Sequence, residues 1–141
     1  MIGRRTDMLD VVSRKLAPFV MLFGFYLITF GHATPGGGFQ GGVVIASGVI
    51  MLALGRGSKT TERRFPVEPV HLAEAIALSG LLVVGAIGLL LSGNFLGNFL
   101  SIGTVGETGP IAFIFMLNVL FGVKVGAGVS VICLKLFEED P

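Results

Sequence analysis

The sequence HATPGGGFQGG, residues 32–42, lies between two strongly apolar runs and contains five glycines and one proline. Pro35 lacks a backbone N–H and disfavours helical geometry at Thr34, so the helix that precedes this stretch has to end here. The three successive glycines, 36–38, tolerate backbone conformations that other residues avoid and let other groups come close. The stretch therefore predicts a tight, irregular turn that joins two helices.

The composition around this turn indicates a membrane protein. Of the 141 residues, 52% are hydrophobic and only 13% are charged, and the mean hydropathy is +0.87. A soluble domain is seldom so poor in charge. The apolar runs approach the roughly 20 residues that a helix needs to cross about 30 Å of hydrocarbon. We therefore expect one all-α domain, 1–141, that crosses the lipid bilayer with four helices at about 16–31, 39–54, 70–92 and 110–137.

The charged residues predict an orientation in the cell membrane. The segment before the first helix carries four basic residues and the 55–69 connection carries another four, whereas the 32–42 turn and the 93–109 segment carry none. Because basic loops stay on the cytoplasmic side, both termini and the 55–69 connection are expected in the cytoplasm. The 93–109 segment is expected to lie along the membrane or against a partner.

Several classes of function are disfavoured by what the sequence lacks. It shows no nucleophile–base pairing, no phosphate-binding loop after a strand and no cluster of metal ligands, and the single Cys133 cannot form a disulfide within the chain. The basic residues form short clusters beside apolar runs instead of a nucleic-acid-binding surface. We therefore expect no enzyme activity, no bound cofactor or metal and no nucleic-acid partner.

Lys124 is the residue most costly to place in a membrane. It lies near the middle of the fourth predicted helix, between Val123 and Val125. A lysine at the centre of a bilayer costs roughly 3 kcal/mol on insertion scales, so it usually faces protein or water. Two interpretations stay open: Lys124 lies on an ion path, or it pairs with an acid on another subunit.

Glu74 is the second candidate for an ion path, about one turn inside the third predicted helix. It can bind a proton or a sodium ion, or it can pair with Arg63 or Arg64 of the basic connection. Glu74 and Lys124 differ in predicted depth by about two helical turns, or roughly 11 Å. A direct ion pair between them is therefore not expected, although bridging water or a shifted helix boundary could still connect them.

Small residues surround Lys124 on its helix. Gly122 and Gly126 form a GxxxG pattern, and Gly128 continues the small surface, so this helix is expected to pack against other helices. Asn118 on the same helix can bond across helices or offer its amide oxygen to a cation.

The chain has two histidines, one at each of two helix ends. His32 is expected to cap the first helix by bonding a free carbonyl, although histidine can also titrate near neutral pH. His71, beside the basic connection, is expected to be an ordinary interfacial residue.

Two motifs together resemble a known family. The turn Gly31-His32-x-Thr34-Pro35-Gly36-Gly37-Gly38-Phe39-Gln40-Gly41-Gly42 closely resembles the hallmark turn of the MnhB/MrpB-like component of Mrp-type multisubunit Na⁺/H⁺ antiporters. The run Asn118-x-x-x-Gly122-Val123-Lys124-Val125-Gly126-Ala127-Gly128 is similar to that family's last helix. The structural turn is assigned to His32, Thr34, Pro35, Gly36, Gly37, Gly38, Phe39, Gly41 and Gly42. The 93–109 segment does not match the family pattern.

The resemblance implies a non-catalytic membrane subunit that works with other membrane subunits to exchange Na⁺ and H⁺. Similar subunits occur in the ion-translocating modules of archaeal membrane-bound hydrogenases and sulfur-reductase complexes, relatives of respiratory complex I, and the sequence does not say which host applies. Two other interpretations stay open. One is a self-sufficient homodimeric cation/proton transporter that uses Glu74, and the other is a purely structural subunit without ion contact.

Overall fold

The computed structural model describes residues 2–33, 36–99 and 108–138 of the chain. Within these residues every regular element is helical, which confirms the all-α prediction. The helices are α1 (Ile2–Thr29), α2 (Gly38–Arg56), α3 (Ser58–Arg64), α4 (Val67–Ser92) and α5 (Thr108–Glu138).

Four of the five helices, all except α3, are long and apolar enough to cross a membrane. Their candidate spans are Met8–Thr29, Gly38–Arg56, Val67–Ser92 and Pro110–Glu138. These lengths confirm the predicted four-helix membrane protein, and the chain is therefore a multi-pass membrane protein. The first helix is longer than expected, since it already begins at Ile2.

The polar connection between α2 and α4 is mostly helical, so the prediction of a loop at 55–69 is wrong for α3. Gly57 ends α2 with a φ of 88°, a conformation that favours glycine, and the chain then turns directly into α3. Thr61 is buried, and both its N–H and its hydroxyl donate to the Gly57 carbonyl, at 3.2 and 3.1 Å. Phe65 then packs on the hydrophobic cluster at this end of the protein. Docking of α3 therefore stabilises a helix that its sequence alone does not reveal.

The membrane helices are not packed in the order of the sequence. In space α1 lies beside α2, α2 beside α5, and α5 beside α4, while α1 touches α5 only slightly. Within the described residues α4 makes no comparable contact with α1 or α2. The core cluster of Val49, Ala53 and Leu134 lies between α2 and α5. The chain is thus closer to a layer of helices than to a closed bundle, and its two outer helices have lightly covered faces.

Glycines bring the central helices close together. A Cβ at Gly41 of α2 would lie 2.7 Å from the Gly24 carbonyl oxygen of α1. A Cβ at Gly42 would lie 2.7 Å from the Gly122 carbonyl oxygen and 2.9 Å from the Gly126 nitrogen of α5. Because neither gap holds even a methyl group, α2 packs backbone to backbone on both of its neighbours.

The segment after α4 turns back along the helices of its own chain. Gly93 ends α4 in the left-handed conformation, and the Phe95 ring then packs directly on Gly85. The Phe99 ring meets Phe113 of α5 edge to face, with centroids 5.6 Å apart. Residues 93–99 therefore pack on α4 and α5, whereas the sequence indicated a segment along the membrane or against a partner. Residues 100–107 lie outside the described part of the chain.

Candidate functional site

Glu74 and Lys124 form an ion pair between α4 and α5. The distance from Lys124 Nζ to Glu74 Oε1 is 3.5 Å. The expectation that their depths keep them apart is therefore wrong. One reason is that α4 begins at Val67, three residues before the predicted start, which places Glu74 about 10 Å into its helix. The other is that the flexible four-carbon stem of a lysine can extend along the helix to reach its partner.

Gly128 provides the space in which the Glu74 carboxylate lies. A Cβ at position 128 would be 2.8 Å from Glu74 Oε1 and 3.1 Å from Cδ. Lys124 and Gly128 are four residues apart and therefore share one face of α5. The carboxylate lies against that face, close to the ammonium group on one turn and to the bare backbone on the next. A larger side chain at position 128 would displace it.

His71 contacts the other oxygen of the same carboxylate. The distance from its Nδ1 to Glu74 Oε2 is 3.3 Å, and the two residues lie three apart on α4. The His71 side chain is 66% exposed, whereas that of Glu74 is only 22% exposed. The three side chains therefore lead from the beginning of α4 to the interior of the α4–α5 contact. Glu74 pairs here, so the alternative of pairing with Arg63 or Arg64 is wrong.

The Glu74–Lys124 pair contains groups that can bind a proton or a cation. A carboxylate can hold a proton or offer its oxygens to a hard cation such as Na⁺, and a neighbouring ammonium group competes with either. The ion pair also lowers the cost of keeping both charges in a membrane helix. Lys124 has three N–H donors, and its side chain remains 36% exposed beside Glu74. The Lys124 side chain is therefore also accessible to groups outside this chain.

Asn118 lies at the glycine turn and away from the ion pair. Its Oδ1 accepts a hydrogen bond of 3.4 Å from the N–H of Gly38, the first residue of α2. That N–H has no partner inside its own helix, and Gly37 before it has no side chain to supply one. Asn118 thus caps α2 from a neighbouring helix. It precedes Lys124 by six residues, or about 9 Å of rise, so the structure separates it from the other two ion-path candidates.

The glycine turn packs against Asn118 along much of its length. A Cβ at Gly38 would overlap the Asn118 carbonyl oxygen, and one at Gly31 would lie 2.7 Å from Asn118 Nδ2. Gly36 has a φ of 140°, which favours glycine. Phe39 is 63% exposed. Thr34 and Pro35 lie outside the described residues.

His32 does not cap α1. Its side chain is exposed and bonds to no residue in the described ranges 2–33, 36–99 and 108–138. The helix closes instead through backbone bonds, from Phe30 N–H to Tyr26 O at 2.9 Å and from Ala33 N–H to Phe30 O at 3.0 Å. The backbone itself satisfies these carbonyls, so a histidine cap is unnecessary.

The three glycines near Lys124 serve two different contacts. The backbone of Gly122 and Gly126 meets Gly42 of α2, and a Cβ at Gly122 would also meet Ile28 of α1. Gly128 instead faces α4 and meets Glu74. The sequence pattern predicted a single packing surface for all three glycines, and His71 was expected to be an ordinary interfacial residue. The signals that could have found the site are the spacing of His71 and Glu74 by three residues and of Lys124 and Gly128 by four.

Comparison with known proteins matches most of the chain to one protein family. A family model described as a domain related to the MnhB subunit of Na⁺/H⁺ antiporters matches residues 8–131. The B-type subunit of the Na⁺/H⁺ antiporter of Alkalihalophilus pseudofirmus is 29% identical over 137 residues, which cover 94% of this chain and 93% of that protein.

Two further relatives align over part of their own length. The B-type subunit of the Na⁺/H⁺ antiporter of Bacillus subtilis is 36% identical over 80 residues, which are 56% of each protein. An uncharacterized protein of Methanocaldococcus jannaschii is 30% identical over 143 aligned positions, which cover 97% of this chain and 54% of that protein. The match thus spans little more than half the length of these two relatives.

Proposed function

Since this chain belongs to the family of domains related to the MnhB subunit of Na⁺/H⁺ antiporters, we propose that it is a non-catalytic membrane subunit of a multisubunit Na⁺/H⁺ antiporter. The relatives from A. pseudofirmus and B. subtilis are both B-type antiporter subunits, which supports this role. The lightly covered outer helices, α1 and α4, suit a chain that packs between other membrane subunits.

The observation that carries a role in ion movement is the Glu74–Lys124 pair. Ionisable side chains within membrane helices are rare and most often mark ion or proton pathways. In the proposed role Glu74 takes up H⁺ or Na⁺, and Lys124 supplies the positive charge that balances its carboxylate when no ion is bound. Binding of either ion to the carboxylate weakens its attraction for Lys124.

A second role for the same pair is purely structural, and one observation favours it. Because α5 is the only membrane helix among the described residues with which α4 makes extensive contact, the pair also holds α4 in place. A structural pair and an ion-path pair respond differently to the simultaneous removal of both charges, so a double variant distinguishes them.

The test uses Lys124→Met, Glu74→Gln and the double variant, each in the intact complex. Native gels report assembly, and a pH-sensitive dye in membrane vesicles reports Na⁺/H⁺ exchange. Each single variant leaves one charge in a membrane helix without this partner, which costs roughly 3 kcal/mol on insertion scales and should impair assembly. The double variant should restore assembly because no lone charge remains, but it should not restore exchange.

Recovery of both assembly and exchange in the double variant would show that the pair is only structural. Glu68→Gln provides the matched control, since Glu68 is an exposed carboxylate at the start of α4. It should leave assembly and exchange unchanged.

We also propose which complex contains this chain and how the chain is oriented in the membrane. The proposed host is an antiporter of the Mrp type, and the alternative is an archaeal hydrogenase or sulfur-reductase module of related construction. A nickel–iron hydrogenase gene beside this one would favour that alternative, and a set of antiporter genes alone would favour the antiporter. Both termini and α3 are proposed to face the cytoplasm, because the basic residues cluster there.

A further inference from the structure

An apolar cleft lies between α1 and α5, and on α5 it is lined by residues other than Lys124 and Gly128. This α1–α5 cleft has a volume of about 290 Å³, and its walls include Met21, Phe25, Ile45, Val123, Ala127 and Leu134. Among its lining residues the only polar side chain is Ser130, whose hydroxyl already donates to the Gly126 carbonyl at 2.6 Å. The cleft therefore has no polar group to offer and suits a hydrocarbon chain.

The length of the cleft indicates what kind of hydrocarbon it holds. On α5 it extends from Gly122 to Leu134, a rise of about 18 Å at 1.5 Å per residue. One leaflet of the bilayer is about 15 Å of hydrocarbon, half of the full thickness. A membrane-spanning helix of a partner would need a groove along the whole thickness. The cleft instead matches the acyl chain of a single lipid.

Positive charge lies at one end of this cleft. Phe65 lines that end, and it directly follows Arg63 and Arg64, the last two residues of α3. Both arginines are exposed, and neither forms an ion pair with another described residue. Arg56, by contrast, is already paired with Asp10 at 3.0 Å. Two arginines that form no ion pair with a described residue, one and two positions before Phe65, supply the chemistry that recognises a phosphate.

The position of these arginines is fixed by the fold. Phe65 packs against the cluster that contains Val49 and Leu134, and α3 is held by the buried Thr61. Consecutive Cα atoms lie only 3.8 Å apart, so Arg63 and Arg64 cannot be far from the opening of the cleft.

We propose that this chain binds one anionic phospholipid of the bilayer, with an acyl chain in the α1–α5 cleft and the headgroup phosphate on Arg63 and Arg64. The lipid fills the space between α1 and α5, which touch each other only slightly. It also connects α3 to the membrane helices. This site is separate from the Glu74–Lys124 pair and does not depend on the proposed ion path.

The test uses the complex that contains the full chain, reconstituted with a phosphatidylglycerol that carries a photoactivatable diazirine in its acyl chain. Mass spectrometry of the labelled peptides should place the label on cleft residues such as Val123 and Ala127. Unlabelled phosphatidylglycerol should compete for the site much better than phosphatidylcholine does.

The double variant Arg63→Gln/Arg64→Gln should weaken this labelling roughly thirty-fold at low lipid, since each basic side chain near an anionic headgroup contributes about fivefold. Lys59→Gln is the matched control, because Lys59 lies on α3 but lines a separate polar surface with Glu138. It should change the labelling less than about twofold. Both variants alter exposed side chains, so folding should be preserved.

Two outcomes would overturn the proposal. One is labelling of the cleft that depends neither on the headgroup nor on the two arginines. The other is absence of lipid label together with crosslinks from position 127 to a neighbouring membrane protein, which would show that a partner helix covers the cleft. Ala127→Phe, which fills the cleft without altering charge, should abolish the lipid label if the proposal is correct.

Discussion

The Glu74 carboxylate lies where a side chain at position 128 would otherwise be, 2.8 Å from the point at which a Cβ of that residue would stand. The position of Glu74 on α4 thus requires a residue without a side chain at position 128 of α5. The lysine one turn away completes the contact. A neutral substitution at position 128 therefore acts on a charged residue in another helix.

Gly128→Ala should move the Glu74 carboxylate away from Lys124 while the helices stay in place. The nearest atoms to the new methyl group are the far end of a flexible side chain, which can rotate away at little cost. We expect normal assembly in native gels, because both charges remain at the α4–α5 contact and still attract each other, and a reduced rate of Na⁺/H⁺ exchange in vesicles. The matched control is Gly80→Ala, whose methyl group would meet only the Leu120 methyl groups, at 3.3 and 3.9 Å. Equal exchange in the two variants would contradict this prediction.

Gly38→Ala should lower the amount of chain in the complex, whereas Gly37→Ala, at the neighbouring position, should leave it unchanged. The methyl group at 38 would overlap the backbone of Asn118, which cannot rotate away, so α2 would separate from α5 and little chain should reach the complex. At 37 the nearest atom is 3.6 Å away, an ordinary contact, and the backbone is extended. Quantitative immunoblots of purified membranes would measure both levels. A stable Gly38→Ala protein would show that the close approach is not required.

Asn118→Ala should lower thermal stability without altering ion exchange at moderate temperature. It removes the acceptor of the Gly38 N–H, which typically contributes about 1 kcal/mol, and leaves the ion pair untouched. The melting temperature of the purified complex, together with the exchange rate well below melting, would test this. Loss of exchange in a fully assembled Asn118→Ala complex would instead place Asn118 on the ion path.

His71→Asn should leave assembly nearly unchanged. The His71 side chain is two-thirds exposed, and exposed ion pairs contribute about 0–1 kcal/mol. Lys124 still pairs with Glu74 in this variant, so its native-gel pattern should match that of the unaltered complex. An assembly defect as large as that of Glu74→Gln would mean that His71 is essential for holding the carboxylate.

The sequence was sufficient to predict the membrane helices because their signal is local. Each is a long apolar run bounded by charge, glycine or proline, and such runs dictate a helix wherever they meet lipid. The short helix α3 lacks this signal. Its residues are all polar or charged, and it is stabilised by burial of Thr61 and by the packing of Phe65 on the hydrophobic cluster.

The ion pair could not be derived in the same way. Glu74 and Lys124 were each recognisable as unusual membrane residues, but their contact depends on where α4 begins and how α4 lies beside α5. An error of three residues in the start of α4 changes the estimated depth by about 4.5 Å. The role of Gly128 was hidden for the same reason, because a glycine in a helix does not reveal which neighbour it faces.

The packing of α4 on α5, and on no other membrane helix to a comparable extent within the described residues, has a consequence for synthesis of the chain. Glu74 leaves the ribosome 50 residues before Lys124. At about 5–20 residues per second, the freshly inserted α4 waits roughly 3–10 s for the ammonium group of Lys124 and for the helix face on which it packs. The arrival of α5 supplies both at once. Helix α5, which is made after α4, therefore completes the insertion of α4.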